Sequence, residues 1–84
     1  MRAQGEWTQA GAPAVLAMAN DYVQAGSIDL STITRIDSTA VALLLELSRR
    51  AQSQGKTLRF TAAPAKLMTL VGFFEVDSML SIQG

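Results

Sequence analysis

The residues of this chain best placed to do chemistry are Asp37, Ser38 and Thr39. They stand directly before an apolar run that begins Ala40-Val41-Ala42-Leu43-Leu44. A hydroxyl between a strand and a helix lies where unpaired backbone N–H groups and the positive end of the helix dipole converge. A phosphate carried there is stabilised by those donors and changes the surface charge by about −2. The plainer role for the same residues is capping, with the Ser38 hydroxyl or the Asp37 carboxylate accepting a hydrogen bond from the first helical turn. Residue types alone leave both roles open.

Other chemistry finds little to work with. The chain contains no His and no Cys, which removes the usual general base, the thiolate nucleophile and the commonest metal ligands. Asp21, Asp29 and Asp37 have no further ligand at a sensible spacing, so no metal site and no cofactor is expected. Gly26 and Gly55 are isolated helix stops rather than parts of a phosphate-binding loop. Seven basic and seven acidic residues balance, which gives no charge excess for nucleic acid or anionic lipid. Arg49-Arg50 reads first as a solvated helix face and second as a contact for an acidic partner. No apolar run approaches the ~20 residues of a membrane span, and Met1–Glu6 lacks the apolar core of a signal peptide. The expectation is a cytoplasmic protein that is not an enzyme.

The elements that must position Ser38 follow from periodicity. Eighty-four residues make one domain, 1–84, burying ~60–65 % of its unfolded surface. The apolar share is 49 % and the charged share 17 %, a balance that excludes disorder. Pro13 opens a helix expected over Ala12–Ala25, with Gly26 as its stop. Ser27–Leu30 is a short strand, and Ile33 and Ile36 fall in the turn after it. A central helix is expected from Thr39 to Gln54, burying Val41, Leu44, Leu45, Ser48 and Ala51. Thr57–Thr61 is a strand. Pro64 opens a third helix that Gly72 closes, and Met79–Ile82 is a last strand. Phe73 and Phe74 read as core, although one of two adjacent rings on a turn is free to anchor a partner. Trp7 carries the same ambiguity. Helices alternating with strands imply an α/β domain with parallel neighbours.

The order Asp29-Leu30-Ser31, then Ile36-Asp37-Ser38, then an Ala/Leu-rich helix resembles the STAS domain family. The Gly55-Lys56-Thr57-Leu58 turn and Pro64 fit the same pattern, and the resemblance runs from about Gly5 to Leu80. It implies a mixed, mostly parallel sheet of about four strands with three helices against it. STAS domains occur in anti-sigma factor antagonists, in sulfate-transporter tails and in the soluble subunit of Mla-type phospholipid ABC transporters. In the antagonists the residue matching Ser38 is the phosphoacceptor. In the transporter subunit a Ser or Thr there lies at the contact with the ATPase. Antagonists carry glycines where this chain has Thr39-Ala40-Val41-Ala42, which makes the helix start bulkier for an approaching kinase. The Val41–Leu45 run is closer to the transporter branch.

The resemblance therefore implies a non-enzymatic subunit bound to an ABC transporter ATPase, held at the inner membrane only through that partner. Asp37, Ser38, Thr39, Ala40, Val41, Phe73 and Phe74 are the expected contacts, in a mostly hydrophobic interface. The alternative is an anti-sigma factor antagonist switched by a kinase at Ser38. STAS domains also begin with two strands, whereas only Gln4–Thr8 serves as one here. The first strand of the pattern is thus missing, and an open sheet edge that a second copy could complete is expected.

Overall fold

The computed structural model describes all residues, 1–84. Five short strands, β1 (Glu6–Trp7), β2 (Ser27–Asp29), β3 (Arg35–Ile36), β4 (Arg59–Thr61) and β5 (Ser81–Ile82), alternate with helices. The helices are α1 (Ala12–Ala17), α2 (Ala19–Ala25), α3 (Thr39–Ser53) and α4 (Ala65–Phe73), and a 3₁₀ turn covers Asp77–Met79. The helix expected over Ala12–Ala25 is therefore two. At Met18 the backbone N–H bonds to the Val15 carbonyl at 3.1 Å, a tightened i→i−3 turn that breaks the ladder. Val15, Ala19, Tyr22 and Val23 still share one buried stripe across the break.

Every strand pairing is parallel: β1 with β3, and β2 with β4 with β5. Arg2 also bridges Asp29 in parallel, upstream of β1. β2 and β3 are thus two stretches of one strand position, interrupted by Leu30–Thr34, and the sheet has four positions. The expected mixed character gives way to a wholly parallel sheet. Each crossover steps to the next strand in the same direction, and right-handed connections then put all helices on one face. The burial pattern agrees. Trp7, Ile28, Leu30 and Phe60 lie buried under the helices, while Arg35, Ser27, Arg59 and Ser81 look out from the opposite face.

All 19 buried residues are apolar, with no polar or charged side chain among them; any chemistry therefore belongs to the surface. Trp7, left ambiguous by the sequence, is core. Its ring meets Tyr22 edge-on with centroids 5.8 Å apart, a favourable aromatic geometry. The outer side of β1, expected to be open, is partly occupied from within the chain. The Gln4 N–H donates to the Tyr22 hydroxyl at 3.0 Å. Gly11 packs so close to β1 that a Cβ there would lie 2.1 Å from the Glu6 carbonyl oxygen. The carbonyls of Arg2 and Gln4 accept no hydrogen bond within the chain.

Candidate functional site: the start of the central helix

α3 is a 15-residue helix whose inward face carries Ala40, Val41, Leu43, Leu44, Leu47 and Ala51. It starts where the carboxyl ends of β1 and β3 converge, the end of a parallel sheet at which α/β folds place their ligand sites. Asp37 organises that point. Its Oδ1 accepts the Thr39 N–H at 2.8 Å and its Oδ2 accepts the Gln9 N–H at 3.1 Å. One carboxylate thus caps α3 and ties the β1–α1 loop to it. The loop is fixed from its own side as well, since the Thr8 hydroxyl donates to Glu6 and accepts the Gly11 N–H.

Ser38 makes no capping hydrogen bond. Its side chain is exposed, and its hydroxyl has no partner within the chain. Of the two capping candidates, the structure assigns the work to Asp37 and leaves Ser38 free. Thr39 is half-buried. Ala40 and Val41, expected as contacts, are 0 % and 4 % exposed. The helical period turns both toward the core, and Ala42 is the apolar residue that faces outward beside Ser38. The expected mostly hydrophobic surface also needs correction. An open cleft of about 890 Å³ lies beside Asp37, and Thr8, Arg35, Pro64 and Lys66 are among its lining residues. Gln9, Arg35 and Lys66 went unnoticed as site residues because only the fold brings them to Asp37. The alternation of helices and strands, which implies parallel strands ending together, was the one sequence signal that could have led there.

Phe73 and Phe74 are not core. They are 78 % and 46 % exposed, because α4 turns Leu67 and Val71 inward and Phe73 follows on its outer side. They also stand apart from Ser38. α4 begins beside Asp37 at Pro64 and Lys66, so Phe73 lies about 13 Å away along its axis, at 1.5 Å per residue. The expected contacts form two separate surfaces.

Three carboxylates titrate low. The Gln9 N–H first, then the groups of Thr39 and nearby Lys66, hold Asp37 below its usual 3.8, against an opposing desolvation. Ser31, through its hydroxyl and then its N–H, does the same for Asp29. Arg49 and then Arg50 bring Glu46 from 4.5 to about 2. A carboxylate with a depressed native value adds stability that is present above its unfolded value and lost as pH falls through the native one. The Tm is accordingly expected to hold from pH 7 to about 5 and to fall between pH 4.5 and about 2. The drop should be modest, because exposed ion pairs contribute little. Thermal melts across this range check it. Glu46→Gln should flatten the lower limb, and a flat wild-type curve would contradict the assignments.

The domain is a two-layer α/β fold with an apolar core and a helix start tied to the β1–α1 loop through Asp37. The family model described as Mlab, STAS domain matches residues 1–81, and the chain belongs to the STAS domain family. STAS domains are in general non-enzymatic binding domains with interaction or regulatory roles. No curated protein matches the chain. No helix is long and apolar enough to cross a membrane.

Proposed function

We propose that this protein is a non-enzymatic subunit that docks onto the ATPase of a phospholipid-transporting ABC system through the start of α3, supporting its assembly or activity. The observation that carries this reading is the free, exposed Ser38 hydroxyl on a helix start that Asp37 caps and anchors. A capping serine would be tied up in its own fold; this one is available to a partner. The family label, which names an Mla-type protein, supports the choice of partner. Thr39, Ala42 and the polar rim of the cleft, Arg35 and Lys66, complete the surface.

The antagonist reading, with a kinase acting on Ser38, draws on the same free hydroxyl. It is weaker because Thr39-Ala40-Val41-Ala42 stand where antagonists carry glycines, and because the Thr39 N–H that a phosphate would use is already held by Asp37.

Co-expression with a transporter ATPase encoded in the same genome should yield a complex that survives size-exclusion chromatography at micromolar concentration. Separate elution of the two proteins would discard the transporter reading, and capture by a kinase instead would favour the antagonist. Pairing of two copies through the free Arg2 and Gln4 carbonyls is a separate proposal. Light scattering on the chain alone decides it, since a mass that stays monomeric across a hundredfold concentration series, ~2.7 kcal/mol in chemical potential, excludes it.

A further inference from the structure

The far end of α4 is a second surface that the docking of Ser38 leaves unused. Phe73, Phe74 and Met79 are 78 %, 46 % and 62 % exposed there, and the two rings stand edge-to-face with centroids 5.3 Å apart. Between them in the chain lie Glu75 and Asp77. Neither takes part in an ion pair, and no Lys or Arg follows Lys66 in the sequence. The segment is therefore apolar and acidic, and Arg59, which pairs with Ser81 just beyond it, looks out from the opposite face of the sheet.

Two features of the local backbone work against this composition. α4 ends with the Glu75 N–H bonded to the Gly72 carbonyl and the Val76 N–H to the Val71 carbonyl, which is the Schellman arrangement. The left-handed residue in that arrangement is usually glycine, yet here it is Glu75 at φ 56. The carbonyl end of a helix also carries the negative pole of its dipole, where acidic side chains are unfavourable. Gly72 stands three residues too early to relieve the strain. A partner bringing positive charge to this end would relieve the electrostatic penalty, and no ion pair within the chain does so. An anionic lipid surface or a nucleic acid would be repelled.

We infer that the C-terminal end of α4, with Phe73, Phe74, Glu75, Asp77 and Met79, is a docking surface for a basic, amphipathic protein segment. Such a segment seats apolar side chains on the two rings and Met79, and sets Lys or Arg against Glu75 and Asp77. The surface lies about a helix length from Ser38, so the domain engages this segment and its partner at Ser38 independently.

The test titrates isotope-labelled protein with an amphipathic Leu/Lys peptide of about 14 residues, roughly four helical turns, and in parallel with its Leu/Glu counterpart. Amide shifts on addition of the Leu/Lys peptide should centre on Leu70–Leu80 and weaken with added salt. Binding should fall about tenfold or more in the double variant E75Q/D77N and in Phe73→Ser, and stay unchanged in Ser38→Glu. Glu75→Gly should raise the Tm while weakening the peptide, a split that a purely structural role for Glu75 would not produce. The inference is overturned if the Leu/Glu peptide binds as well, if the shifts centre elsewhere, if E75Q/D77N binds like wild type, or if the Leu/Lys peptide does not bind.

Discussion

Ser38→Glu is expected to weaken docking onto the ATPase by about tenfold or more, ~1.4 kcal/mol, while leaving the Tm where it was. Ser38→Ala is expected to leave the Tm unchanged too. Were Ser38 the cap of α3, alanine would cost ~1 kcal/mol of fold stability. The structure removes that term, because the Thr39 N–H is held by Asp37 and Ser38 holds nothing. An exposed residue without partners falls in the class whose substitution usually stays within about 0.5 kcal/mol. The glutamate loss has a different origin. A second carboxylate beside Asp37 adds like charge next to it and turns the balanced set of Glu6, Asp37, Arg35 and Lys66 net negative, and it adds bulk where the partner must approach. Isothermal titration of the purified pair, with melts of each variant alone, separates the two effects. If Ser38→Glu binds like wild type, the docking surface does not include Ser38. If Ser38→Ala lowers the Tm by several degrees, the capping assignment is wrong instead.

The parts of this fold legible in the sequence are those with long periodic signals. α3 runs Thr39–Ser53 where Thr39–Gln54 was expected, because its apolar stripe spans four turns and Gly55 follows it. The STAS pattern was legible because its order and spacing cover nearly the whole chain. What the sequence hid is short or distant. β3 has two residues, too few for an alternation to register, so Ile36 read as part of a turn. Gly72 read as a stop for α4, yet the helix runs on to Phe73 and ends on a left-handed Glu75. A glutamate in that conformation has no sequence signature. The two phenylalanines at that end, read as core, are exposed. At the site, the bond from Gln9 to Asp37 joins residues 28 apart. Residue types proposed the caps; only tertiary geometry chose between them.

Leu44→Ala is expected to cost about 2–5 kcal/mol, the range for truncating a fully buried leucine. Leu44 is 0 % exposed on the helix that packs against α1, α2, α4 and β1, so the void cannot close without moving several elements. A domain of 84 residues has a total stability of only about 4–13 kcal/mol at ordinary values per residue. The Tm should therefore fall by roughly 8–40 °C, and the variant should be partly unfolded near its host's growth temperature if the wild type sits at the low end. Leu45→Ala, one position on but half-buried, should cost less than half as much. The pair also guards the interpretation of Ser38. Leu44→Ala reduces docking only through its unfolded fraction, so its apparent Kd should return toward wild type on cooling, whereas the Kd of Ser38→Glu should not. Equal losses from Leu44→Ala and Leu45→Ala would show that α3 does not pack as the central element. Loss of docking in Leu44→Ala that persists where the variant is fully folded would show that the core and the docking surface are coupled through α3 itself.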